Sequence, residues 1–252
     1  MNLRARLDGL WDRERIVAGG CLDTSTRVLW MQAPGGFVDL RLPPGRPDIA
    51  GCEALCDLGR DDLAHLLSAE GFAGEIAVAG DVCTWHRAIN WQGFPVGPDE
   101  GRIAFDAEGR LIETGIHADY VEDWRGLPGP VPFHGVWASG DWRLHLAWAG
   151  TLFLLGIGRA DQPRASVLRA ALVAGGRTDE VALAAQFRAL YAMGNFGAEG
   201  GRVEQATDPF LEGRVLLEGD PASGAPLVTR RCTFLGHELV EEWTPQPSQS
   251  AR

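Results

Sequence analysis

Lysine is absent: all 23 basic residues are arginine. That absence excludes Schiff-base catalysis, a Walker A phosphate loop and any lysine general base. The arginines form no basic run able to track a phosphate backbone, and the formal net charge is −11. Neither nucleic acid nor an anionic membrane surface is therefore an expected partner. No stretch reaches about 18 uninterrupted apolar residues, and the opening "MNLRARLDGLW" lacks the apolar run of a signal peptide. The five cysteines, at 21, 52, 56, 83 and 232, have no disulfide-framework spacing. Together these absences predict a cytoplasmic protein.

Signatures of chemistry are missing as well. The six histidines, at 65, 86, 117, 134, 145 and 237, show no metal-ligand spacing, and Cys52 and Cys56 have no further Cys or His close by. Neither a metal nor a cofactor is expected. Ser139 in "WASGD" lacks the glycine two positions earlier that a nucleophile elbow requires. "GIGRAD" at 156–161 lacks the third glycine of a dinucleotide loop. What is present is a chain of 252 residues, 45% hydrophobic and 23% charged, an ordinary globular composition with room for one large domain or two smaller ones.

The chain echoes itself. "YVEDWRG" at 120–126 returns as "LVEEWTP" at 239–245, and a shift of 118 lays Trp30 on Trp148, Arg41 on Arg159 and Asp61 on Asp179. "EGRI" at 100–103 meets "EGRV" at 212–215, and "GLW" at 9–11 meets "GVW" at 135–137. Markers that keep their order at a nearly constant offset point to a tandem duplication, the two tryptophan motifs being the closing element of each copy.

Within each copy short strands dominate. "FVDLRL" alternates Val38, Leu40 and Leu42 against Phe37, Asp39 and Arg41, a strand with two different environments. "GRIAFD", "RLIETGI" and "YVEDWR" continue as a meander, with a hairpin turn at "DAEG", 106–109. Each copy also predicts one helix. The first starts at Asp61 or Asp62, carries Leu63, Leu66 and Leu67 on one face and ends at Gly71. The second starts at Thr178 and carries Leu183, Phe187, Leu190 and Tyr191 before Gly194. The expected fold is mainly β: two tandem antiparallel barrels, over 1–126 and 127–245, with a proline-rich linker within 125–135 and a disordered tail at 246–252.

The order "FVDLR", "TWHRAINW", "FDAEGRLIETG", "YVEDWR" resembles the fungal HRI-type proteins and related uncharacterised bacterial proteins. The resemblance implies two lipocalin-like, or calycin-like, barrels and implies no settled activity. The second copy replaces "VDLR" with "LLGIGR" and loses the acid, so a polar site is expected in the first barrel.

Alternation groups the candidate binding residues on three strand faces: Asp39 and Arg41 beside Phe37; Trp85, Arg87 and Trp91 with Ile89; Tyr120, Glu122 and Trp124. Aromatic walls with a few charges are what a small-molecule pocket needs, and the same residue types also close a barrel end by stacking and ion pairing. His86 and Arg87 fall on opposite faces, which favours Arg87 as inward. The leading expectation is binding of a small, largely apolar molecule whose anionic group meets Arg41 or Arg87. A second is a cofactor-independent isomerase or cyclase using Glu113 or Glu122 with His86 or His117. A third is a protein-interaction scaffold with filled barrels. The sequence does not fix the oligomeric state.

Overall fold

The computed structural model describes residues 2–175 and 179–247. Short alternating segments, each closed by Gly, Asp or Pro, make the chain almost wholly antiparallel sheet. The first nine strands are β1 (Gly9–Ala18), β2 (Cys21–Asp23), β3 (Arg27–Ala33), β4 (Gly36–Leu42), β5 (Glu70–Ala79), β6 (Val82–Asn90), β7 (Glu100–Phe105), β8 (Leu111–Gly115) and β9 (Tyr120–Leu127). Strand β9 pairs back onto β1 and closes an eight-stranded barrel, to which β2 adds as an extra ribbon on β1. The next eight are β10 (Phe133–Ser139), β11 (Trp142–Ala149), β12 (Leu152–Gly158), β13 (Leu190–Gly197), β14 (Gly200–Ala206), β15 (Val215–Glu218), β16 (Leu227–Cys232) and β17 (Glu238–Pro245). They form a second closed barrel, sealed by pairing of β10 with β17. The mainly β, two-barrel architecture read from the sequence is the one observed.

Helix α1 (Leu3–Arg6) precedes the first barrel, α2 (Arg60–Leu66) joins β4 to β5, and α3 (Ala165–Val173) and α4 (Glu180–Phe187) join β12 to β13. Helices α2 and α4 occupy the equivalent places in their barrels, and Leu63, Leu66, Leu183 and Phe187 are buried as their spacing predicts. Asp179 caps α4 by accepting from the amides of Val181 and Ala182; Thr178 lies outside the described residues. The expected C-terminal ends differ. Leu190, Tyr191 and Gly194 belong to β13, and Gly71 to β5. Helical spacing continues past Phe187 by coincidence, but the pairing of Leu190 with Ile157 gives that segment a ladder partner that another helical turn lacks.

The hairpin at 106–109 forms as expected, its Asp106 side chain accepting from the amides of Glu108 and Arg110. Residues 125–127 still pair with β1 and 133–135 with β11, so the connection between the barrels shortens to 128–132. Of the expected tail, Gln246 and Pro247 are described and the remainder lies outside the described residues.

Strand β4 shows why the site lies where it does. Val38, Leu40 and Leu42 point out of the first barrel and, with Leu29 and Met31, join the apolar contact with β11 and β12 of the second. Phe37, Asp39 and Arg41 point inward. Tyr191 wedges between the barrels, where a Cβ on Gly71 would come within 2.3 Å of its ring. In the second barrel Leu144, Leu146, Phe153, Leu155, Ile157 and Leu190, all fully buried, fill the inner face. Charge is concentrated inside the first barrel and apolar volume inside the second.

Candidate ligand cavity in the first barrel

Strands β3, β4, β5, β6, β8 and β9 direct Trp30, Asp39, Arg41, Phe72, Trp85, Arg87, Glu113, Tyr120, Glu122 and Trp124 onto a cavity of about 180 Å³, completed by Ile16 and Asp99. Of the expected binding residues, all but Trp91 are on this wall. Strand β6 explains the exception. It carries an extra residue at Ala88, so that Gly74 pairs with Arg87 but Ala73 with Ile89. A Cβ on Gly74 would lie 2.0 Å from the His86 carbonyl oxygen, so this β-bulge needs a glycine there. The bulge shifts the alternation by one residue. Trp85 and Arg87 face inward, whereas Ile89 and Trp91 face the second barrel, where Trp91 meets Phe187 edge-on at 5.8 Å. The placement of Trp91 on the face of Arg87 is thereby corrected.

The candidate histidines are elsewhere. His86 points outward from β6, and His117 is exposed between β8 and β9, its Nε2 2.9 Å from Glu100 Oε2. Neither lines the cavity, so the expected Glu/His pairs are not assembled. Glu113 and Glu122 are on the wall and face each other as cross-strand partners.

The wall is a linked set of charge pairs. Arg41 grips Asp39 through Nε (2.9 Å) and Nη2 (3.3 Å) and reaches Glu122 at 3.5 Å. Arg13, from β1, donates to the same Glu122 oxygen at 2.6 Å. Arg87 donates to Asp99 through Nε at 2.8 Å and lies 3.6 Å above the Phe72 ring. Tyr120 donates its hydroxyl to Glu113 at 2.7 Å. Burial and then the facing Glu122 push the Glu113 carboxyl up to about 8, so it is largely protonated at neutral pH. Burial also raises Asp39, against the pull of Arg41. Trp30 meets both Trp85 and Trp124 edge-on at 5.9 Å.

Comparison of the two barrels isolates what this wall leaves unmet. Across β8 and β9, Leu111 faces Trp124 and Glu113 faces Glu122; across β16 and β17, Leu227 faces Trp243 and Thr229 faces Glu241. Glu241 is held by Arg188 (2.8 Å) and Arg231 (3.3 Å), as Glu122 is by Arg13 and Arg41. In the second barrel Trp243 Nε1 donates to Thr229 at 2.8 Å. In the first, Glu113 takes the threonine's place and receives Tyr120 instead. The buried indole N–H groups of Trp124 and Trp30 have no acceptor among the described residues.

Sequence reasoning did not assign Arg13, Ile16, Trp30, Phe72 or Asp99 to the site. Trp30 was visible as a marker of the repeat, and its inward register with Asp39 makes it a wall residue. Arg13 sits at a register shift in β1 and Asp99 in an irregular loop, so neither belongs to a readable alternation.

The fold and the cavity together define a two-barrel β protein with a charged, aromatic-walled cavity in its first barrel. No protein-family model matches the sequence, and no curated protein matches it. The structure is similar to the crystal structure of an uncharacterised protein of Saccharomyces cerevisiae, YLR301w, with a TM-score of 0.56 over 96% of this chain and 98% of that one. At 10% sequence identity, the likeness is one of fold.

Proposed function

We propose that the first barrel binds a small, largely apolar molecule through an anionic, hydrogen-bond-accepting group. The observation that carries this reading is the pair of unmet indole donors of Trp30 and Trp124, two rings of a cavity wall whose carboxylates already accept from Arg13, Arg41, Arg87 or Tyr120; both nitrogens are packed just behind the cavity surface, and an occupant reaches them as the rings turn. A buried donor left unpaired costs about 1–3 kcal/mol, and an occupant supplying the acceptor recovers that. Trp30, Phe72, Trp85 and Trp124 offer apolar burial. The volume is below the roughly 300–1,000 Å³ of drug-sized pockets, which limits the ligand to a few rings or fewer. With Glu113 protonated, each remaining carboxylate of the wall has a guanidinium partner: Asp39 has Arg41, Asp99 has Arg87, and Glu122 has Arg41 and Arg13, the last shared with Asp23. We further propose kinship with the HRI-type proteins, a lipocalin-like character and a cytoplasmic location; the likeness to the yeast protein supports the two-barrel fold alone.

The test is native mass spectrometry of the purified protein and of Trp124→Phe, followed by titration with whatever is released. A retained mass in the wild type and an affinity at least about fivefold weaker in the variant are expected, the lower end of what pairing that donor recovers. Equal affinities would remove the donor assignment.

A second reading is favoured by one observation, the buried Glu113 carboxyl facing Glu122 and accepting from Tyr120, which burial and then Glu122 hold up to about 8 against the lowering pull of the Tyr120 hydrogen bond. It makes Glu113 a general acid or base for cofactor-independent proton transfer within the same cavity. Glu113→Gln then abolishes turnover of the released compound while leaving it bound; unchanged turnover removes this reading.

A further inference from the structure

The mouth of the second barrel carries a separate groove of about 360 Å³, formed between α4 and the β16–β17 hairpin. Its apolar surface comes from Phe187, Phe234, Leu235 and Leu239; the rings of Phe187 and Phe234 stack at 5.7 Å, and Leu235 is 45% exposed. Arg188 and Arg231 line the same groove. These two guanidinium groups share one carboxylate, Glu241. Arg231 is nearly fully buried, with 3% of its side chain exposed, and its Nε has no acceptor among the described residues. Asp208, whose field also reaches Arg231, lines the adjoining hollow and not this groove. An apolar trough ending at two cations that share one anion is complementary to an amphiphilic anion.

We propose that this groove is a second binding site, for a monocarboxylate with a short apolar tail, its carboxylate at Arg231 and Arg188 and its tail along Phe187, Phe234 and Leu235. The site is independent of the first-barrel cavity, since the two share no lining residue.

Octanoate is the probe, titrated by calorimetry into the full chain alongside octanol. Saturable octanoate binding, at least tenfold tighter than octanol, is expected. Leu235→Asp, a change on the exposed rim that spares the core, should weaken octanoate at least tenfold, as should Arg188→Gln. Trp124→Phe, in the other barrel, should leave it unchanged. Absent saturation, equal affinity for octanol, or binding lost in Trp124→Phe but kept in Leu235→Asp would each overturn the proposal. The last of these would assign octanoate to the first-barrel cavity and leave that cavity's own reading standing.

Discussion

Glu113 carries the sharpest consequence at the scale of a single residue. Its folded-state carboxyl lies near 8, above the ordinary glutamate value of 4.5. Between those values the native protein holds a proton that the unfolded chain has released, so stability falls as pH rises through this window. Glu113→Gln removes the penalty. Thermal denaturation of both proteins should show little difference at pH 5 and a higher melting temperature for the variant at pH 9; a constant difference would mean that Glu113 is ionised throughout. The same proton bears on binding. An anionic ligand favours the protonated form, and its affinity in the wild type should decline above pH 8. The identities of the wall residues were legible because charges and aromatics alternate on β4, β6 and β9. Ion pairing among them was an expectation as well, but the particular partners were not: the order of residues does not single out Asp39, two positions earlier on the same strand, for Arg41, or a loop aspartate for Arg87.

At the scale of elements, one bulge decides which tryptophan belongs to the site. Period-two alternation is a reliable guide only while a strand keeps its phase, and the Gly74–Ala88 irregularity breaks it in the middle of "TWHRAINW". A glycine in a strand can signal such a break, although Gly71, three residues earlier, is needed to clear Tyr191 and not for a bulge. Gly74→Val should therefore destabilise the fold by about 2–4 kcal/mol in chemical denaturation, since the added group meets fixed backbone; a change under about 0.5 kcal/mol would mean the bulge can relax without it. The closing strands offer a paired test. Thr229→Val strips Trp243 of its acceptor and should cost about 1–3 kcal/mol. Its counterpart Trp124 already lacks a protein acceptor, so removing that indole N–H in Trp124→Phe should cost the ligand-free protein much less.

For the whole molecule, the contact between barrels adds its own pH dependence. His134 on β10 and His145 on β11 approach at 3.3 Å, beside the turn at Gly36, with Arg143, His86 and Glu75 lining the same inter-barrel groove. Burial pushes His134 down to about 4; burial, and then His134 itself, push His145 down to about 3. The unfolded chain takes up these protons below its ordinary value of about 6.5, the native protein only near 3 to 4, so stability is lost as pH falls across that interval. The urea midpoint should drop between pH 6 and pH 4, and drop less in His134→Asn; parallel curves would exclude the pair as the cause.

Two barrels were legible in the sequence because repeated markers and strand alternation survive at this scale. How they dock was not, since the surfaces that meet, Leu40 against β11 and β12 or Tyr191 against Gly71, look like ordinary strand faces until the topology brings them together. Among the described residues no helix is long and apolar enough to cross a membrane. Whether the first barrel receives an acceptor-bearing small molecule, as proposed above, is open to direct observation. The most direct measurement is a high-resolution crystal structure of the protein as purified. Density larger than water is expected in the cavity, with an acceptor atom within hydrogen-bond distance of Trp30 or Trp124 Nε1; a cavity holding only ordered water that satisfies both indoles would rule out the proposed ligand.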